Sequence, residues 1–315
     1  MHNYLCTLRQ CFSLYIPVLA EFIPMKHLLP FAVCIMLLNP FCTQAQTSSS
    51  FRSKQYGGTI DRSLKITIGG GITSYSGDLN DVGERINTIF SGGILYKFAP
   101  HVSLKSEFSF YTLSGTDVGG INRTRNLSFA SRNVEGYAGI MYEVFDVENP
   151  MRGQGLIVNP YVWAGLGFTA FNPYTELDGR TYYLRPYRTE DVTYGLTTAV
   201  IPLGMGVRFE VSRRIGFSLE AAYRFTLSDH LDDVSTTYIG SANVTDNIRA
   251  RLADRGPQVG QPYRELGSQR GNPNRKDGYA TVMLKFEYLL WPFDRFGKPQ
   301  CPASVKISRK PVIKR

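Results

Sequence analysis

His230 stands between Asp229 and the pair Asp232-Asp233, and a histidine held by a carboxylate is the kind of group that works as a general base. Ser228 and Ser235 flank it and would supply the nucleophile of a hydrolase or acyltransferase at this site. Successive residues of an extended chain point to opposite faces, so the run alone does not bring base, orienting acid and nucleophile together. Asp229, Asp232 and Asp233 also have the oxygen chemistry of a Ca²⁺ site, yet such clusters are ordinary in solvated loops. Neither a metal nor a cofactor is expected.

A second set of chemically capable residues is more ordered. Lys65, Lys97, Lys105, Arg208, Arg224 and Lys285 are matched by Glu107, Glu135, Glu143, Glu210, Glu220 and Glu287, and each lies in a segment where apolar and polar residues alternate. The elements that carry them read as strands: Leu64 to Thr73, Phe90 to Phe98, Val102 to Thr112, Leu127 to Phe145, Pro160 to Phe171, Leu196 to Val211, Gly216 to Leu227 and Gly278 to Leu290. Period-two segments of about ten residues are the mark of transmembrane strands. The opposite face carries sets such as Val102, Leu104, Phe108, Phe110 and Val282, Leu284, Phe286, Tyr288, with no charge among them. A charge in hydrocarbon costs several kcal/mol, so the charged face must be the interior. A lipocalin-like soluble barrel would have the reverse polarity.

The fold expected is all-β: an eight-stranded antiparallel up-and-down barrel with short turns on one side and long loops on the other. Its lumen is just wide enough for side chains, so six acids and six bases should fill it with ion pairs and leave no aqueous pore. Both termini should lie on the side of the short turns. The loop from Ser228 to Asp277 is expected to hold a short helix near Asp246 to Ala253, capped by Thr245 or Asp246.

Export fits this reading. Met25, Lys26 and His27 lead into the apolar run Leu28 to Leu38 and the small-residue exit at Ala45, the pattern of a secretory signal peptide. Met25 is the expected start, residues 1–45 an upstream extension plus signal peptide, and 46–63 a polar periplasmic leader. Cleavage after Ala45 removes Cys6, Cys11, Cys34 and Cys42, leaving Cys301 without a disulfide partner. The net charge of +9 lies mainly outside the strands. Arg249, Arg251, Arg255, Arg264, Arg270, Arg275 and Lys276 in the last loop are placed to meet outer-membrane lipid and the phosphates of lipopolysaccharide. Residues 291–315 form a basic periplasmic tail with Trp291, Phe293, Phe296 and Cys301, suited to docking on a protein partner or, for the aromatics, to the membrane interface. Nucleic acid is excluded as a partner by the exported compartment.

Three stretches carry a family resemblance. They are Gly71 to Leu79 with its Gly77-Asp78 turn, Asp229 to Tyr238, taken as a continuation of the seventh strand, and Arg270-Gly271-Asn272-Pro273-Asn274 followed by Asp277. They resemble an uncharacterised outer-membrane β-barrel family of Bacteroidetes that includes the PorG-like component of the type IX secretion apparatus, over about Leu64 to Leu290. The resemblance implies a non-enzymatic structural or assembly protein of the cell envelope, with Gly77, Asp78, Asp229, Asp232, Asp233, Gly271, Asn272 and Pro273 as rim motifs. Three other classes stay open on the residues: a hydrolase or acyltransferase around His230, a generic barrel that binds lipopolysaccharide, and a passive channel.

Overall fold

The computed structural model describes residues 62–79, 86–120, 122–145, 157–212, 214–240, 244 and 246–293. The expected signal peptide, the leader to residue 61, and Phe296 and Cys301 of the tail lie outside them. Eight long strands follow the alternation read from the sequence: β1 (Arg62–Ser76), β2 (Ile86–Ala99), β3 (Val102–Thr116), β4 (Ser128–Glu143), β5 (Ile157–Ala170), then, beyond an inserted hairpin, β8 (Thr197–Glu210), β9 (Ile215–Thr226) and β10 (Gly278–Phe293). Each pairs antiparallel with its neighbours in the order β3-β2-β1-β10-β9-β8-β5-β4, and pairing of β3 with β4 closes the barrel. Closure leaves no barrel strand with an unpaired edge, the condition for a sheet in lipid.

Pro100-His101 joins β2 to β3, and a turn tied by Val211 and Ser212 amides donating to the Ile215 carbonyl joins β8 to β9. Both lie at the end where Arg62 of β1 pairs with Phe293 of β10. The first and last strands therefore start and finish on the short-turn side. β10 runs three residues past Leu290, so Trp291 and Phe293 belong to the closing strand and not to a separate tail. Pro292 sits near the strand end, where a missing N–H costs little.

Inward and outward residues separate along every long strand. Ser103, Lys105, Glu107 and Ser109 of β3 are buried, whereas Leu104, Phe108 and Phe110 are about half exposed. Leu166, Phe168, Phe90, Ile68 and Leu284 extend the same bare apolar belt around the wall, with Leu166 71% exposed. From Arg132 to Tyr142, β4 runs roughly 34 Å, or about 26 Å of height at a 40° tilt, which matches the apolar band of a membrane barrel. An apolar wall around a charged lumen is a transmembrane barrel, and this one sits in the outer membrane. No helix among the described residues is long and apolar enough to cross a membrane.

The long-loop side is folded. The connection after β5, expected as a loop, holds a hairpin of β6 (Tyr174–Leu177) and β7 (Arg180–Tyr183). Its turn is Asp178-Gly179, both at positive φ (53° and 73°), the geometry of a tight hairpin. The loop after β9 carries helix α1 (Asn247–Ala253), whose N-cap Asp246 accepts from the amides of Ile248 and Arg249. One expectation fails here: β9 stops at Thr226, and Asp229 to Tyr238 does not continue it. Those residues fold back in bends over the barrel mouth, with one bridge between Thr237 and Gln269. Leu231, Val234 and Leu252 of this loop pack with Leu79, Phe129, Phe171 and Leu184 onto Tyr75, Tyr111 and Tyr279 of the upper lumen. The loops thus form a cap with its own apolar core.

Candidate functional site

All twelve charged lumen residues make ion pairs, in three layers. At the periplasmic mouth Lys65 lies 2.7 Å from Glu210 and 3.8 Å from Glu287, Arg208 Nε lies 2.7 Å from Glu287, and Glu143 joins Arg208 to Lys97. In the middle Glu220 receives Lys105 at 2.5 Å and Lys285 at 2.8 Å, while Lys285 also reaches Glu107 at 2.5 Å. Tyr161 adds a hydroxyl to Glu220 at 3.1 Å, and the Lys105 ammonium stands 3.8 Å from the Trp163 ring centroid. Higher up, Arg224 pairs with Glu135 and donates to Thr281, and the Tyr279 hydroxyl donates to Glu135. A void of about 10 Å³ among Arg208, Ser218, Glu220 and Glu287 has room for about one water. Such a lumen offers no continuous path for ions. In planar-bilayer recordings the protein should give no stable porin-type conductance, and large unitary currents would defeat the filled-barrel reading.

Above these layers the three sequence motifs converge. Asp78 accepts from the Asn272 amide at 2.5 Å, and its carbonyl accepts from Arg125. Arg125 is locked on Asp117 at 2.7 Å and also donates to the carbonyl of Arg270. Arg270 in turn pairs with Glu190 at 2.9 Å, and Glu190 accepts from the Ser235 and Thr236 amides. Asp233 takes hydroxyls from Thr189 and Tyr194. The glycines are required by close approach. A Cβ at Gly77 would strike the Tyr75 hydroxyl and the Asp277 carboxylate, and one at Gly271 would come 2.6 Å from the Ser235 amide nitrogen. Pro273 remains exposed in the turn that leads to β10.

Electrostatically the cap is a nest of buried acids. Burial pushes Asp232 up to about 8 and Asp229 and Asp233 to about 6, and it also lifts Asp277 well above the usual carboxylate range, reinforced by the Asp232 charge. Burial works to raise Glu190 too, but the Arg270 charge and the donors of Ser235 and Thr236 hold it below the usual range.

The geometry does not assemble the catalytic group considered from the sequence. Ser235 Oγ donates to Asp229 at 2.5 Å rather than to His230, and Ser228 Oγ accepts from the His230 amide. The His230 ring packs on Tyr194, centroids 4.7 Å apart, and its buried Nε2 meets no hydrogen-bond partner among the described residues. Burial lowers its pKa. Among the described residues no cluster of acids, His or Cys could hold a metal ion, so the three aspartates do not form the Ca²⁺ site considered. Tyr75, Asp117, Arg125, Thr189, Glu190 and Tyr194 are the members of the network that sequence reasoning missed.

Residues 58–244 match the model of a family described as a domain of unknown function, DUF6089. The chain belongs to this family. The DUF6089 match takes in the Gly77-Asp78 and Asp229 to Tyr238 motifs, while Gly271, Asn272, Pro273 and Asp277 lie beyond it. No curated protein matches the chain in sequence. Among solved structures it is similar to Neisserial surface protein A at 10% identity and a TM-score of 0.37, covering 75% of this chain and 100% of that one. It is similar to Yersinia pestis Ail, solved with the heparin analogue sucrose octasulfate, at 12% identity and 0.33, covering 73% and 99%. Pseudomonas aeruginosa OprG follows at 11% and 0.34, covering 73% and 97%.

Proposed function

We propose that this DUF6089 barrel is a non-enzymatic anchor for an envelope complex, with a PorG-like part in type IX secretion as the specific role. The observation that carries the reading is the double closure of the barrel, by ion-pair layers in the lumen and by the packed cap above them. A closed barrel offers partners its surfaces and its two periplasmic chain ends. The resemblance of the three motifs to a barrel family that includes a PorG-like component is the support for the secretion role, and the basic segment after β10 supplies charge for an acidic periplasmic partner. Trp291, Phe293, Phe296 and Cys301 are the residues proposed to start and hold that contact.

Truncation after Pro299 tests the proposal. The shortened barrel should insert and show normal heat-modifiable migration, yet lose its co-purifying periplasmic protein and its support of secretion. If every partner and full secretion survive, the tail is not the anchor. A second variant bears on the enzyme reading: His230→Ala should leave secretion and the cell's lipid profile unchanged, whereas a catalytic base would cost roughly 10²-fold or more in rate.

A further inference from the structure

The outward face of β4 carries a base where the membrane wall meets the cap. Arg132 is exposed and makes no ion pair among the described residues. It sits on the same face as Ser128, roughly 13 Å further up the strand. Ser128 Oγ is the anchor of a second arginine, Arg255, whose Nη1 donates to Ser128 and to Thr175, both at 3.0 Å, and whose Nε donates to Gln258 at 3.1 Å.

All three partners are neutral. Arg125, Arg249, Arg251, Arg264 and Arg270 of the cap each have a carboxylate, but half-buried Arg255, like Arg185 and Arg275, has none among the described residues. Asp178, the acid whose charge acts on it, is already engaged by Arg251 at 2.7 Å, and Arg251 adds a further positive charge beside it. A guanidinium taken partly out of water with only neutral partners favours an anion beside it.

Below Arg132 the same strand face turns small and apolar. Gly136 is flanked in register by Phe108 of β3 and Phe168 of β5, and Ala138 by Ser106 and Leu166. These residues line an open groove of about 920 Å³ on the wall of the barrel. An apolar groove under one arginine, with two more arginines higher up, has the layout of an amphiphile: acyl chain, phosphate, then further anionic groups.

We propose that this face of β4 is a binding site for lipopolysaccharide of the outer leaflet, with an acyl chain in the Gly136–Ala138 groove, a lipid phosphate on Arg132 and a phosphate or carboxylate of the saccharide on Arg255 and Arg251. The two charge levels select the ligand. A phospholipid places its phosphate at one height, whereas a phosphorylated saccharide reaches both. The site is independent of the anchoring role proposed above.

The test uses the full chain in nanodiscs containing phosphatidylglycerol, with purified lipopolysaccharide added and retention read by native mass spectrometry. Arg132→Gln and Arg255→Gln should each lower retained lipopolysaccharide at least ten-fold, and Ala138→Phe should lower retention of the acylated form while heat-modifiable migration stays normal. Arg188→Gln, an equal change of charge at an exposed cap residue with no side-chain bond to Arg132, Arg255 or Ser128, should have no effect. Equal loss in Arg188→Gln would mean an unspecific charge effect and overturn the proposal. So would unchanged retention in both arginine variants, displacement by phosphatidylglycerol at equal concentration, or a protein found in place of lipid on this face.

Discussion

Glu220→Ala should cost the barrel about 3–5 kcal/mol, because it strands two buried ammonium groups at once. Lys105 and Lys285 both rest on this carboxylate, at 2.5 and 2.8 Å, and neither side chain is more than 8% exposed. Glu107 would remain for both, 2.5 Å from Lys285 and 3.7 Å from Lys105, but one charge cannot balance two. Urea unfolding in detergent micelles, read by the heat-modifiable shift, measures the loss. Glu210→Ala supplies the comparison. That residue pairs with Lys65 near the periplasmic mouth, where both side chains keep some contact with water, so about 1 kcal/mol is expected. Combining Glu220→Ala with Lys105→Met should recover much of the loss, since Lys285 and Glu107 are then a balanced pair. Equal midpoints for Glu220→Ala and the wild type would show that the lumen charges are hydrated and not mutually paired.

This layered interior was legible in the sequence for a simple reason. In a period-two segment, parity fixes the face, and lipid penalises a charge on the other one except near the membrane interface, where Arg132 sits. Every lysine, arginine and glutamate on the inward parity therefore had to meet its partners inside a lumen only as wide as those side chains. The cap was not legible in this way. Arg125 reaches a carbonyl 145 residues away and Tyr75 a carboxylate 202 residues away, and no local pattern encodes such pairs. Asp229 to Tyr238 was read as strand because it follows one, whereas the demands of Asp232 and Asp233 for buried donors bend it over the mouth. The hairpin at Tyr174 to Tyr183 is a different case. Its Asp178-Gly179 signal is a recognised hairpin turn, but its four-residue strands are far shorter than a membrane crossing and carry too little alternation to mark them as strands. Arg255 shows a third limit: its residue type suggested an anion, while the neutral cradle of Ser128, Thr175 and Gln258 exists only in the folded cap.

Alkaline conditions should loosen the cap while the barrel beneath it stays intact. Asp232 accepts from the amides of Leu79 and Val234, and Asp277 accepts from the Leu231 amide and the Tyr75 hydroxyl, so these two carboxyls tie the loops after β1 and β9 to the barrel. Burial raises both above the usual carboxylate range, Asp232 to about 8, and Asp229 and Asp233 are raised to about 6. In the unfolded loop the same groups titrate near 4. The folded cap therefore holds more protons than the open one between about pH 4 and 8, and stability falls as pH rises through that window. Glu190 acts in the opposite sense, since it is held low and loses its contribution only as pH falls toward its folded value. Its partner Arg270 stays charged throughout, as does Arg125 on Asp117, while buried His230 and exposed Lys276 complete the charged surroundings. Five raised acids, Asp78 among them, against lowered Glu190 and lowered His230 set the net direction. Limited proteolysis of the Leu227 to Asp277 loop, normalised to an unstructured peptide at each pH, should run roughly ten-fold or more faster at pH 8.5 than at pH 5.5. Asp232→Asn is neutral at every pH and keeps an acceptor for one of the two amides, so it should remove most of that difference while the barrel still migrates as folded. A cap cleaved faster in acid than in alkali would show that the Glu190–Arg270 pair, and not the Asp232–Asp277 pair, governs its closure.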